Sequence, residues 1–282
     1  MKVRRPTQAG AFYPATKDSL VNEIERCFLH KLGPGSIITP NEHGARRIVS
    51  LVCPHAGYAY SGPIAAHSYF NLAKDGIPSS IVIIGPNHWG LGSGISIMTE
   101  GQWQTPIGTL SIDTEIAKQI VDHSSIIDVD ETAHLREHAI EVQLPFLQYL
   151  YNSKIRIVPI SMMMQDAESC KEVGVAISGA LEGKNAVIIA STDMTHYEPQ
   201  AIAERKDKQV ANAIAELDEI SLQRIVEDNR ISMCGYGPAT TSIVAAKKLG
   251  AKTARILCYK TSGDVAGDYS EVVGYLSAMI IR

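Results

Sequence analysis

The chain has 282 residues, of which 45% are hydrophobic, and a formal net charge of −4 at pH 7. This length can bury a complete α/β core and no stretch has the composition of a linker, so we expect one domain over residues 1–282. The small negative charge and the lack of a basic stripe argue against a nucleic-acid partner. The longest apolar runs are too short to span a bilayer, so no membrane partner is expected.

The cysteines and the N-terminus indicate a compartment. Five cysteines, an odd number without paired CxxC spacing, are typical of a reducing environment. The first residues, 1–6, carry charges with no apolar segment behind them, so we expect no signal peptide. We therefore expect a cytoplasmic protein.

Predicted helices and strands alternate along the chain. In order, they are a helix over 17–32, a loop over 36–46, a strand over 48–54, a helix from 62 to about 74, a strand over 81–87, a strand pair over 103–112, helices over 114–123 and 137–150, a strand over 155–160, a helix over 166–181, a strand over 186–190, helices over 204–215, 220–228 and 239–249, and strands over 254–259 and 272–281. This alternation predicts an α/β fold with a mostly parallel sheet and helices on both faces.

Three predicted strands are followed by residues that can bind a metal or move a proton. His55 follows strand 48–54, His88 follows strand 81–87, and Asp193 and His196 follow strand 186–190. Side chains just beyond the carboxyl ends of parallel strands converge on one crevice, where ligands bind. Cys234 lies in a Gly- and Pro-rich turn before a helix, where a lowered thiol pKa is expected. These residues predict one metal site at the sheet edge.

Six motifs resemble the Memo family in their order and span nearly the whole chain. They are AGAFYP at 9–14, CPHAGYAYSG at 53–62, GPNH at 85–88, EHAIEVQLPFL at 137–147, STDMTHY at 191–197 and CG at 234–235. The agreement of six motifs in order is far more specific than any single one.

The resemblance implies a fold like that of class III extradiol dioxygenases, which bind non-haem iron through two histidines and a glutamate. On matching positions, His55 and His88 would be the imidazole ligands and Cys234 would stand in place of the carboxylate. His196 would be the acid/base and Asp193 would support it. A thiolate is softer than a carboxylate and favours copper or zinc, so Fe(II) or copper is expected, with zinc or no metal as alternatives.

The segment 134–138 reads HLREH and matches the H-x-x-E-H pattern of a zinc peptidase, in which the glutamate is the general base. Alternatively, it is the start of helix 137–150, with Glu137 and Glu141 in the first turns. We favour a mixed interpretation in which Glu137 and His138 line the same crevice, either supporting the metal ligands or contacting the substrate, and His134 lies outside it. Asn87 and Tyr58 are further candidates for the pocket wall.

Two classes of function follow. The first is a mononuclear iron or copper redox enzyme that acts on an unidentified small molecule or peptide. The second is a binding or signalling module on the same scaffold, since the resemblance links eukaryotic members to signalling. A hydrolase that uses a metal-bound water is a further alternative.

Overall fold

Twelve strands and nine α-helices alternate along the computed structural model, which describes residues 2–282. The helices are α1 (Lys17–Leu29), α2 (Tyr58–Asp75), α3 (Thr114–Asp122), α4 (Leu144–Tyr151), α5 (Ala167–Leu181), α6 (Gln200–Ala215), α7 (Glu219–Asp228), α8 (Tyr236–Lys248) and α9 (Ser262–Ala266). The strands are β1 (Val3–Arg4), β2 (Ile48–Cys53), β3 (Ser80–Pro86), β4 (Ile95–Ile97), β5 (Gln102–Thr105), β6 (Gly108–Ile112), β7 (Asp128–Val129), β8 (Arg156–Met162), β9 (Ala186–Ser191), β10 (His196–Glu198), β11 (Thr253–Thr261) and β12 (Val272–Ile281).

The strands form one sheet whose centre is parallel. Its main order is β1-β5-β6-β8-β3-β9-β2-β12-β10, and β6, β8, β3, β9 and β2 all run in the same direction. β12 is antiparallel to β2, and β11 and β10 pair with β12. The predicted α/β class with a mostly parallel sheet is confirmed.

Helices cover both faces of this sheet. One layer contains α1, α2 and α4, which pack on one another, and α2 lies against β2 and β12. The other layer contains α3, α5, α7 and α8, and α8 lies against β2, β3 and β9. Every residue of β2 and β3 is buried as a result, which explains why both read as continuous apolar runs. None of the helices in residues 2–282 combines the length and the hydropathy needed to cross a membrane.

Four helices, α2, α4, α6 and α8, start three or more residues away from the sequence prediction. α2 begins at Tyr58 rather than at residue 62, so Pro63 lies inside the helix and lacks the N–H that would bond to the carbonyl of Ala59. α4 begins at Leu144 rather than at residue 137, because Pro145 has no N–H to bond backwards and is favoured in a first turn. Residues 137–140 therefore form a turn, and a short 3₁₀ helix, Glu141–Gln143, leads into α4.

The N-terminal segment is anchored by the buried carboxylate of Glu141. Arg4 forms an ion pair with it, and the side chains of both residues are almost fully buried. The backbone N–H groups of Thr7 and Gln8 and the hydroxyl of Tyr13 also donate hydrogen bonds to it. These donors and the Arg4 charge offset the desolvation free energy of the buried carboxylate. One glutamate thus fixes the path of the chain from residue 4 to residue 13.

We predict that Glu141→Gln lowers the free energy of unfolding by about 3–5 kcal/mol, because it leaves the Arg4 guanidinium buried without a counter-charge. Urea unfolding measures this change. The matched control is Glu23→Gln, which removes the partner of the exposed Arg26 at 3.0 Å and should cost less than about 1 kcal/mol. Equal effects of the two substitutions would contradict the assigned role of Glu141.

Candidate functional site

A pocket of about 450 Å³ lies at the carboxyl ends of β2, β3 and β9. These three strands are neighbours in parallel register, so they end at the same level of the sheet. The pocket is lined by Phe12, His55, Ala56, Gly57, His88, His138, Asp193, His196, Tyr197, Ser232, Cys234 and Val273. The crevice expected from the strand ends is therefore present.

Three imidazoles form the centre of the pocket. One nitrogen from each of His55, His88 and His138 lies within 4.8 Å of the other two. The rings of His88 and His138 are stacked with their centroids 4.4 Å apart, and the His55 ring stands edge-on to both. Such a histidine cluster is compatible with binding a metal ion.

Hydrogen bonds fix the tautomer of His55. Its Nδ1 lies 2.9 Å from the Oγ of Ser191. That hydroxyl already donates its proton to the carbonyl of Ala139 and accepts from the amide of Gln143. Nδ1 must therefore carry the hydrogen and donate it to Ser191, since the hydroxyl has only one proton. The Nε2 lone pair of His55 faces the pocket, where the Sγ of Cys234 lies 3.2 Å away. Burial, aided by the neighbouring His88 imidazole, holds the pKa of His55 well below its ordinary value.

Glu137 orients His88 from behind the pocket. Its carboxylate accepts hydrogen bonds from the Nδ1 of His88 at 2.8 Å, from the His88 backbone N–H at 2.7 Å and from the Ala139 N–H at 2.9 Å. Burial alone would raise the pKa of Glu137, but these donors and the neighbouring His88 charge lower it to about 2. An ionised carboxylate accepts only, so the lone pair of His88 lies on Nε2.

Cys234 contacts the histidine cluster directly. Its Sγ lies 3.2 Å from the Nε2 of His55 and accepts a hydrogen bond of 3.2 Å from the Asp193 N–H. The carbonyl of Cys234 accepts from the side-chain amide of Gln165 at 3.0 Å. Contrary to the sequence prediction, the pocket's own groups raise the pKa of Cys234, because burial and the Asp193 carboxylate outweigh the donors. The helix start does not offset them, since Gly235 rather than Cys234 is the capping residue of α8.

His196 and Asp193 both line the pocket, but they are not partners. The Nδ1 of His196 donates to the carbonyl of Ser232 at 2.8 Å, whereas an Oδ1 of Asp193 accepts from the backbone N–H of His55 at 2.8 Å. Burial raises the pKa of Asp193. The expectation that Asp193 orients His196 is thus corrected: Ser232 holds the imidazole, and Asp193 holds the loop that carries His55.

Two residues expected in the pocket wall have other contacts. The side chain of Asn87 closes its own loop, accepting from the N–H groups of Trp89 and Gly90 and donating to the carbonyl of Leu91. Tyr58 is buried in the first turn of α2, and its hydroxyl donates to the carbonyl of Val142 at 2.7 Å. Neither lines the pocket, because local hydrogen bonds and core packing use both side chains.

Phe12 lines the pocket and was not expected there from the sequence. Phe12 covers the His138 ring at a centroid distance of 4.7 Å, and its segment is the one anchored by Glu141. His138 was expected to line the crevice as a supporting or substrate-contacting group, and its ring belongs to the central cluster. Burial and the charges of the neighbouring histidines lower the pKa of His138 to about 3. The AGAFYP motif at 9–14 was a usable signal for Phe12.

Comparison with known proteins identifies the family. The family model of Memo-like proteins matches residues 4–279. A MEMO1 family protein of Methanothermobacter thermautotrophicus is 50% identical over 97% of this chain and 98% of its own length. One from Methanopyrus kandleri is 50% identical over 99% of both chains. The chain belongs to the Memo family.

The Memo fold of this chain also resembles a solved structure of low sequence similarity. The crystal structure of an uncharacterized protein, JW3007, from Escherichia coli K12 superposes with a TM-score of 0.58 at 16% identity, over 84% of this chain and 100% of that chain. At this identity the likeness is one of fold alone. The shared fold is the expected α/β fold with a mostly parallel sheet.

The H-x-x-E-H pattern of this Memo protein does not form a zinc-peptidase helix. His134 ends a separate 3₁₀ turn, Thr132–His134, and packs edge-on against Trp103 at 5.8 Å. It is fully buried outside the pocket lining, as the mixed interpretation expected. Burial, with the nearby Arg4 charge, lowers the pKa of His134 to about 4.

We predict that His134 makes this Memo protein less stable in mild acid. Unfolded chains take up a proton at His134 near pH 6.5, but the folded chain does so only near pH 4. Stability is therefore lost as the pH falls between these values. His134→Leu should reduce the difference in unfolding free energy between pH 7 and pH 5 by about 2 kcal/mol. Urea unfolding at both pH values tests this, with the exposed His43→Leu as control; an unchanged difference in His134→Leu would refute it.

Proposed function

We propose that this protein is a metal-dependent redox enzyme that binds one iron or copper ion through His55, His88 and Cys234. The observation that carries the proposal is the cluster of the His55, His88 and His138 imidazoles in the pocket, with the thiol of Cys234 in contact with His55. His55 Nε2 and Cys234 Sγ are 3.2 Å apart, a separation that suits two ligands of the same ion at about 2.0–2.3 Å each. Imidazole and thiolate together suit iron, copper and zinc better than oxygen-seeking cations.

The groups behind the imidazoles support a metal role. Histidine ligands of metals commonly donate their second N–H to a carboxylate or another acceptor, which fixes the ring and its tautomer. His88 does so to Glu137 and His55 to Ser191. Ser191 is itself held by Gln143 and Ala139. The pocket therefore presents two preorganised nitrogen donors without any rearrangement of their rings.

His138 is the competing third ligand, because its ring nitrogen lies in the same 4.8 Å cluster. Three imidazoles would resemble the ligand set of zinc hydrolases that activate water, and this favours the hydrolase as the second candidate function. The identity of the third ligand therefore separates the two candidate functions: Cys234 favours the redox enzyme, and His138 favours the hydrolase. We assign the ligand role to Cys234, since its sulfur is in contact with a ligand nitrogen.

A bound iron or copper ion would supply one-electron redox chemistry, which none of the side chains in the pocket provides. The protein's own residues would orient the substrate and move its protons. With Nδ1 bonded to Ser232, His196 has a free Nε2 that can accept a proton from a substrate in the pocket. Phe12 and Tyr197 line the same pocket and provide apolar surface for a small molecule or a peptide side chain. The free thiols of all five cysteines support the expected cytoplasmic location.

Metal content tests the proposal. Protein purified without chelators should contain about one equivalent of iron or copper, and His55→Ala and His88→Ala should lose most of it. The exposed His43→Ala is the control and should keep it. Cys234→Ser should lower the metal affinity more than His138→Ala does; the reverse order, or bound zinc alone, would favour the hydrolase. Folded wild-type protein that takes up none of these metals would favour the binding module.

We further predict that Glu137→Gln weakens metal binding by about 10–100-fold while His88 remains in place. The amide is a weaker acceptor for the Nδ1–H of His88, so the tautomer that exposes Nε2 is less favoured. Competition with a chromophoric chelator measures the affinity. Glu172→Gln, which changes a surface carboxylate bonded to Ser124 and Ser125, should leave the affinity unchanged. An unchanged metal affinity in Glu137→Gln would show that the Glu137 carboxylate does not support metal binding.

A further inference from the structure

The histidine pocket contains a carboxylate that no side chain neutralises. Asp193 lines the pocket and is only 4% exposed. The backbone N–H of His55 donates to its Oδ1 at 2.8 Å. Within residues 2–282, no lysine, arginine or histidine nitrogen lies within 4.0 Å of either carboxylate oxygen. A buried carboxylate is unfavourable without a counter-charge, so Asp193 can hold a cation that enters the pocket.

The rest of the pocket also favours a cation over an anion. Its lining contains neither lysine nor arginine, and Glu137 adds a second carboxylate directly behind His88. An anionic ligand would meet these carboxylates, whereas a cation is attracted to both. The charge of a bound metal ion would be offset by the Cys234 thiolate and by Glu137, which leaves Asp193 for the ligand.

Tyr197 presents an aromatic ring at the mouth of the pocket. It lines the pocket, is 74% exposed, and lies beside His196 with the ring centroids 5.8 Å apart. Its backbone has a φ of 57°, in the left-handed region that a bulky side chain adopts only at a cost in free energy. A tyrosine held there without packing into the core leaves its ring free to contact a ligand.

Two further tyrosines lie near Asp193. Tyr60, in the first turn of α2, is 46% exposed, and Tyr275, on β12, is buried. Burial, with the nearby Asp193 carboxylate and the Tyr60 and Tyr197 hydroxyls, raises the pKa of Tyr275. The three tyrosines and Asp193 therefore lie in one neighbourhood. Aromatic rings grouped in this way bind ammonium groups, because the faces of the rings carry partial negative charge.

We propose that the pocket binds a small molecule through an alkylated ammonium group, which lies between the Asp193 carboxylate and the tyrosine rings. The inference rests on the proposed function, because it names the substrate class of the same pocket. An alkylated ammonium group presents positive charge and apolar surface together, and the pocket offers a carboxylate and aromatic rings for them. A neutral ligand of the same shape gains only the contact with the rings, so selectivity for charge distinguishes this site from a plain apolar pocket.

The test uses choline as the probe, with its neutral isostere 3,3-dimethyl-1-butanol and the anion 3,3-dimethylbutanoate as comparators. The quaternary nitrogen of choline has no lone pair for a metal, and the alcohol has the same hydroxyl, so their difference isolates the charge. Isothermal titration calorimetry of the full chain, as purified and after treatment with a chelator, should show saturable choline binding at least about tenfold tighter than that of the alcohol. The anion should not bind the chelator-treated protein.

Two results of this titration would overturn the proposal. The first is the absence of saturation by about 10 mM choline. The second is binding of the alcohol or, in chelator-treated protein, of the anion as tightly as choline.

Variants locate the site. Asp193→Asn keeps Oδ1 as the acceptor for the His55 N–H but removes the charge, and should weaken choline binding about tenfold. Glu172→Gln, a surface carboxylate bonded to serines, should not change it. Tyr197→Leu keeps an apolar side chain without the aromatic face and should weaken binding several-fold, whereas Tyr149→Leu on α4 should not. Choline binding that is unchanged in both pocket variants would refute the assignment.

The metal content of the same proteins separates this inference from the proposed function. Asp193→Asn should retain the iron or copper of the wild type; loss of the metal together with choline binding would identify Asp193 as a metal ligand and overturn the ammonium site. Choline binding by wild-type protein that takes up no metal would support the ammonium site and favour the binding module. Metal-loaded protein that does not bind choline would overturn the ammonium site and leave the redox proposal in place.

Discussion

The parallel pairing of β2, β9 and β3 is the constraint on which the pocket depends. Cys53 pairs with Ser191, and Ile84 pairs with Ala190, so the three strands end side by side. His55 and His88 each follow a strand end by two residues. A register shift of one residue would turn each of these segments towards the opposite face and separate the imidazoles. The buried apolar faces of the strands prevent that shift, so the hydrophobic core determines the geometry of a polar site.

Hydrogen bonds then fix the orientation of the imidazole rings that the strand register brings together. The imidazoles of His55 and His88 each use Nδ1 to bond a fixed acceptor, and these acceptors, Ser191 and Glu137, are themselves bonded to the backbone around Ala139. The turn at 137–140 is therefore a common support for both rings. Together with Pro145, this favours a turn here rather than an earlier start of α4, because a helix over 137–150 would use the Ala139 carbonyl, which accepts from Ser191, for its own hydrogen bond.

The fold and the neighbourhood of the site could be predicted from the sequence because both follow from strand periodicity. Apolar runs before His55 and His88 located two strands, and the sheet brings their ends together. The hydrogen-bond partners of the pocket side chains could not be predicted in the same way. Whether Asp193 bonds His196 or the backbone of His55 depends on ångström-scale loop paths that no periodicity encodes. The loop-closing role of Asn87 was easier to predict, because an Asn side chain commonly closes a turn that contains Gly, here Gly90.

The sequence prediction also missed the shortest strands and helices. β10 has three residues and begins at His196, where the sequence suggested only a loop. α9 was also missed, although Thr261 and Asp264 form a capping box whose spacing is visible in the sequence. Single-turn elements bury too few residues to show a hydrophobic period, so they are specified by caps and by pairing with distant strands.

The side chain and backbone of Gln165 connect the turn that carries Cys234 to α7. Its amide is bonded at both ends of the turn before α8, to the carbonyl of Cys234 and to the N–H of Gly237, and its own carbonyl accepts from Gln223. This residue therefore holds the turn that carries Cys234 against α7. The packing of the outer helices thus helps to place the sulfur in the histidine pocket.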